Sequence, residues 1–231
     1  MTTRVDVAES SSLLRGTDAR RSSAFPIKPV LAEILGTALL ANIVSMGEGA
    51  LHVGLALAAI VFSLGHVSGA HFNPAVSLAV FVRGKIKVMD AIYYVLAQVV
   101  GAFLGGLISV AVKEEITAPA VASGVETMTA VSVEALYTML LCLVILNVAT
   151  TKVQAGNGFF GLAIGIALTV GASIAGPISG GALNPALGLA LPVLKDSGLD
   201  NIWIYVVGPF VGSLLAAGAF YLVAKPDEFL A

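Results

Sequence analysis

Two stretches of the chain, GHVSGAHFNPAVSLAV at 65–80 and GPISGGALNPALGLAL at 176–191, share Gly, Ser, Gly, Asn-Pro-Ala, Leu and Ala at matching places inside long apolar runs. Asparagine is a strong helix N-cap, and proline suits the first helical position because its missing N–H would have no partner there. Each Asn-Pro-Ala is therefore expected to start a helix, one from Asn73 to about Val82 and one from Asn184 to about Leu194. At about 1.5 Å per residue each helix reaches roughly 15 Å, half the thickness of a bilayer's hydrocarbon.

A bilayer is the setting because the 231 residues are 58% hydrophobic and only 11% charged, too apolar for a soluble domain. Apolar windows of about 20 residues, the length that crosses hydrocarbon as helix, begin near Val30, Leu51, Ile92, Met128, Phe159 and Ile202. Arg4, Arg15, Arg20, Arg21 and Lys28 precede the first span, Arg83, Lys85 and Lys87 follow the second, Lys152 the fourth and Lys225 the sixth; only Lys113 and Lys195 fall opposite. By the positive-inside rule both termini are cytoplasmic. The plasma membrane and an internal vacuolar or endosomal membrane both remain open.

Further pairs extend the repeat: AEILGT with Glu33 and Thr37 against VEALYT with Glu134 and Thr138, and AQVVGAF against GPFVGSL. Each half holds three spans, an odd number, so the second half enters from the opposite face and the halves are inverted repeats. The fold class is thus all-α integral membrane, with six transmembrane helices plus two half-spanning re-entrant helices in an inverted 3+3 repeat. Residues 29–224 form the channel-like domain, with halves at about 29–112 and 128–224. Residues 1–28 read as a disordered, Ser- and Arg-rich cytoplasmic tail, and 225–231 as a short C-terminal one. Within the first tail, ESSSLL (Glu9 to Leu14) resembles an acidic dileucine sorting signal, and RRSS is a candidate kinase site.

Irregular backbone is tolerated at membrane depth only where it is buried in protein or lines a water-filled cavity, which suits the Gly- and Ser-rich approaches to Asn73 and Asn184. Two half-helices entering from opposite faces point both positive ends at one spot, which repels cations and offers donors to a neutral solute. Carbonyls of Ala70, His71 and Phe72, and of Gly181, Ala182 and Leu183, are expected to line the same path as acceptors. Glu33 and Glu134 are intramembrane carboxylates with two readings: a proton relay, or acceptors that brace the N–H groups of the dipping loops. His66 reads as a satisfied structural histidine or a pH gate. His71 is expected to give the path its carbonyl alone, and His52 has no evident partner.

Gly101 with Gly105, and Gly208 with Gly212, are expected helix-packing contacts, and Trp203 an interfacial anchor. Cys142, the single cysteine, excludes an intrachain disulfide and reads as a small packed residue. No nucleophile has a nearby base and no Cys or His cluster has metal-ligand spacing, so neither an enzyme nor a cofactor is implied. The net charge of −2 argues against nucleic acid as a partner. From these residues alone, a channel, a secondary transporter using Glu33 or Glu134, and a closed-pore structural protein all remain open.

The paired Asn73-Pro74-Ala75 and Asn184-Pro185-Ala186, with GHVSGAHFNPAV, AEILGT and GPFVG, make the chain from about Val30 to Leu222 resemble the aquaporin and aquaglyceroporin family. The resemblance implies a homotetramer with one pore in each protomer, passing water or small neutral solutes through the lipid bilayer. It places the outer filter on Val53, Ala172, Gly181 and Leu187, each a departure from the aromatic, histidine or glycine, small residue and arginine of the water-selective pattern. Small side chains at three of these places predict a wide opening. Leu187, where arginine is usual, adds an apolar wall, so gating by dewetting is the competing expectation.

Overall fold

A computed structural model describes residues 25–225 and Glu228. ESSSLL and RRSS lie outside the described residues. Helices α1 (Ile27–Met46), α2 (Ala50–Ser68), α4 (Val88–Val112), α5 (Thr127–Thr150), α6 (Phe160–Ser179) and α8 (Ile202–Val223) are each long and apolar enough to cross a membrane. Between them lie two short helices, α3 (Pro74–Val82) and α7 (Pro185–Lys195), and a 3-10 turn at Leu199–Asn201.

The short helices start where the sequence places them, and for the local reason expected. Asn73 and Asn184 are extended N-caps, their Oδ1 atoms accepting from the N–H of Ala75 (2.9 Å) and Ala186 (3.0 Å), with proline at the first helical position of each. At about 1.5 Å per residue these helices are about 14 and 16 Å long, too short to span.

Close packing of the spans depends on glycine. α4 lies against α1 at Gly105, where a Cβ would fall 2.1 Å from the Ala38 carbonyl oxygen, and α8 lies against α5 at Gly212, where it would fall 2.2 Å from the oxygen of Ala135. The α2–α6 crossing is close on both sides: Gly54 and Gly165 occupy matching places in the two halves, and a Cβ on either would sit 2.4 Å from the other's carbonyl oxygen. A residue meeting its own repeat counterpart is the mark of a pseudo-two-fold axis, and it passes through this contact. Cys142 is fully buried in the shared core, as expected, beside Leu141, Ile145 and Leu146. The outward faces of the spans are apolar and exposed, for example Leu31, Leu35, Leu96, Leu107, Ile166 and Leu214.

Candidate functional site

Both loops that lead into the short helices hold residues in the left-handed region: Ala70 (φ 55°) and Phe72 (φ 51°) in the first, Gly181 (φ 62°) and Leu183 (φ 48°) in the second. A non-glycine residue held there costs about 1–2 kcal/mol, so the surroundings must hold it in place. Two buried carboxylates do so. Glu33 accepts from Ser68 Oγ (2.6 Å), the N–H of His71 (3.0 Å), the N–H of Phe72 (2.7 Å) and Gln98 Nε2 (2.8 Å). Glu134 accepts from Ser179 Oγ (2.7 Å) and the N–H groups of Ala182 (3.0 Å) and Leu183 (2.7 Å). From behind, the hydroxyls of Tyr94 and Tyr205 donate to the carbonyls of Ser68 (2.7 Å) and Ser179 (2.6 Å).

At the centre the two halves exchange hydrogen bonds. Asn73 Nδ2 donates to the Leu183 carbonyl (2.8 Å) and Asn184 Nδ2 donates to the Phe72 carbonyl (2.9 Å). The Phe72 and Leu183 oxygens, expected among the acceptors of the path, thus each accept a bond from the opposite asparagine and keep a second lone pair beyond it. An amide nitrogen carries two hydrogens, so each asparagine keeps one N–H beyond this exchange, and both asparagines line a cavity of about 220 Å³.

Val53, Ala172, Gly181 and Leu187 line that same cavity, between the asparagines and the face that carries the 47–49 and 113–126 connections. Around them the wall is apolar, with Leu40, Leu57, Ile164 and Leu168 among its members. A second, wider cavity of about 740 Å³ opens on the face that carries the described ends of the chain, lined by Lys85, Lys152 and the 154–157 turn. Ala70, His71, Ile145 and Ile164 belong to both cavities.

The histidines differ from expectation. His66 is exposed on the wall of the wider cavity, and its ring makes no hydrogen bond among the described residues, so it is not a satisfied structural group. The His71 side chain is buried with Nδ1 3.0 Å from Ser77 Oγ, edge-on to Tyr94, and so takes part as more than a carbonyl. His52 does have a partner, its Nδ1 lying 2.7 Å from the Glu48 carbonyl oxygen.

A family model described as "Major intrinsic protein" matches residues 19–221. The chain belongs to the major intrinsic protein family. It is thus an integral, multi-pass membrane protein of a channel family rather than an enzyme. It is similar to the glycerol uptake facilitator protein-like 6 of Lactiplantibacillus plantarum, 36% identical over 87% of this chain and 100% of the relative. It is likewise similar to a probable aquaporin AqpM of Archaeoglobus fulgidus, 41% identical over 74% of each chain. The fold matches the X-ray structure of the aquaglyceroporin from Plasmodium falciparum with a TM-score of 0.76, at 24% identity, over 90% of this chain and 100% of that one.

In this major intrinsic protein, sequence reasoning missed the Tyr94 and Tyr205 braces, although YYVLAQ and IYVVGP carry Tyr at matching places ahead of Gln98 and Pro209. It also missed Thr117, a loop residue on the wall of the narrower cavity. Nothing in the sequence near Thr117 points to that position.

Proposed function

We propose that the chain is a passive channel for water and small neutral solutes of the glycerol, urea and ammonia class, with Asn73 and Asn184 at its centre. One observation carries the reading: two helix N-termini from opposite halves converge on one spot, each presenting an asparagine on the wall of a largely apolar cavity. The positive ends of α3 and α7 disfavour cations there, and a remaining amide N–H on each side offers a donor to a solute oxygen. The printed names of the relatives, a glycerol uptake facilitator-like protein and aquaporins, support the same class. Glu33 and Glu134 serve as loop braces in this reading. Every donor around them belongs to a dipping loop, to the helix end that leads into it or to Gln98, which favours the channel over a transporter that titrates them.

Val53, Ala172, Gly181 and Leu187 form the outer filter, wide and apolar, with no fixed cation. The working unit is a homotetramer in the lipid bilayer with one conduit per protomer and both termini cytoplasmic. Purified protein in liposomes should speed shrinkage in an osmotic step and re-swelling in glycerol or urea. Rates equal to those of empty vesicles for water and for the whole solute panel would overturn the reading. Leu187→Arg should narrow the path and reduce glycerol and urea flux more than water flux; an equal effect on all, or none, would remove position 187 from the filter.

A further inference from the structure

Segment 116–122 runs beside the narrower cavity, whose wall it joins at Thr117, as a strap tied at both ends. At one end the Thr117 N–H donates to the Ser45 carbonyl (2.7 Å), and Ser45 is itself held by Asn42 and Ser109. At the other the Ala122 N–H donates to the Ile178 carbonyl (3.0 Å). Between them the strap presses on the second dipping loop so closely that a Cβ on Gly180 would fall 2.3 Å from the Ala120 nitrogen and 2.8 Å from the Pro119 Cα. Ile116, its first residue, is buried. The strap is thus a fixed part of the wall.

It carries Thr117, whose side chain bears the only hydroxyl among the described residues lining this cavity; the other polar side chains there, His71, Asn73 and Asn184, belong to the two dipping loops and their helix starts. Thr117 Oγ1 makes no hydrogen bond among the described residues. Gly47 leaves the space it occupies, since a Cβ there would lie 2.6 Å from that oxygen. Thr117 is exposed, so this hydroxyl is open to bond a solute on the cavity wall.

We infer that Thr117 is a specificity-determining residue, the hydrogen-bonding station through which small polyols and ureas enter the apolar filter. The inference rests on the channel reading. Water needs Thr117 little, because a cavity of about 220 Å³ holds several waters at about 30 Å³ each, which bond one another. A polyol displaces those waters, so its hydroxyls must find partners on the wall or go unpaired, and an unpaired polar group is costly. Thr117 lines the same cavity as Leu187, which holds the place of the usual arginine, and supplies a neutral donor and acceptor without a charge.

The test compares wild type, Thr117→Val and Thr117→Ser in liposomes, reading water and glycerol permeability from the same preparations. Thr117→Val should lower glycerol permeability about three- to tenfold, the factor a single neutral hydrogen bond supplies, with water within about twofold, and Thr117→Ser should restore glycerol flux. An unchanged glycerol-to-water ratio in Thr117→Val, or a Thr117→Ser that behaves like it, overturns the inference while leaving the channel reading intact. Wild-type vesicles that pass neither solute overturn both. A second variant, Thr117→Cys, adds a thiol accessible to a small thiosulfonate reagent while Cys142 stays buried. Labelling should block glycerol entry, and unaltered entry after complete labelling counts against the assignment.

Discussion

Thr37 and Thr138 sit one helical turn beyond Glu33 and Glu134, and the sequence pairs each with its carboxylate. Both are fully buried, yet neither hydroxyl has a hydrogen-bond partner among the described residues. The glutamates face the dipping loops, whereas Thr37 packs where α4 comes nearest, a Cβ on Gly101 lying 3.0 Å from its Cβ. A buried, unused hydroxyl costs about 1 kcal/mol or more, so Thr37→Val and Thr138→Val should hold or raise the melting temperature in detergent; a fall in both would show that the hydroxyls are engaged. The glutamates behave oppositely. Glu33→Gln puts an N–H against a loop N–H, leaving a buried donor unpaired at a cost of about 1–3 kcal/mol. The expected result is a lower melting temperature with solute selectivity retained in the protein that survives, and a selective loss of solute flux would argue for a transport role instead.

At the scale of helices, glycine decides where two backbones approach. Gly105→Ala and Gly212→Ala drive a Cβ to within about 2.2 Å of a carbonyl oxygen on the neighbouring span, a form of overpacking that costs typically 1–3 kcal/mol or more. Gly218, also within α8, has no neighbour within 4 Å of its would-be Cβ, so Gly218→Ala should be neutral or stabilising by up to about 1 kcal/mol. Thermal melting of the three variants separates packing glycines from incidental ones. The same contrast shows what the sequence could reveal. Asn73, Pro74, Asn184 and Pro185 announced their helix starts because capping and proline geometry are local chemistry. The four-residue glycine spacings in α4 and α8 announced packing faces for the same reason. The Gly54–Gly165 contact, the exchange between each asparagine and the opposite carbonyl, and the Tyr94 and Tyr205 braces join residues far apart in the chain, and no local pattern encodes them. His66 was misjudged because the wall of the wide cavity is assembled from distant turns, and Thr117 because a strap beside a cavity has the composition of an ordinary loop.

Across the whole molecule, Glu228 is fastened to the face with the wide cavity. Glu228 accepts from the backbone N–H groups of Lys152 (2.6 Å) and Val153 (3.2 Å), while its carbonyl accepts from Arg83 (2.7 Å), whose guanidinium lies 4.9 Å from the centre of the Phe220 ring. The Lys152 amide above all, with Val153 and the charges of Arg83 and Lys152, holds the Glu228 carboxyl below its ordinary value of 4.5. A depressed pKa means that the fastening is complete above the ordinary value and fades as the pH falls through the lowered one. Hydrogen exchange should therefore show amides 152 and 153 protected at neutral pH, exposed in Glu228→Ala, and progressively exposed in the wild type as the pH falls below the ordinary carboxylate value, once intrinsic exchange rates are allowed for. Equal protection in wild type and variant would show that Glu228 does not hold the turn. The bonds that Asn73 and Asn184 trade across the centre carry a different consequence. A single half, inserted into a membrane in both orientations, could meet another copy of itself and make the same pair of bonds about a true two-fold axis. The present halves have lost that freedom. Ser77 in the first half corresponds to Gly188 in the second, where a Cβ would strike Tyr205 at 2.2 Å, and Gln98 corresponds to Pro209. Two chains expressed as separate halves should assemble only as a mixed pair, each half having become the other's obligate template.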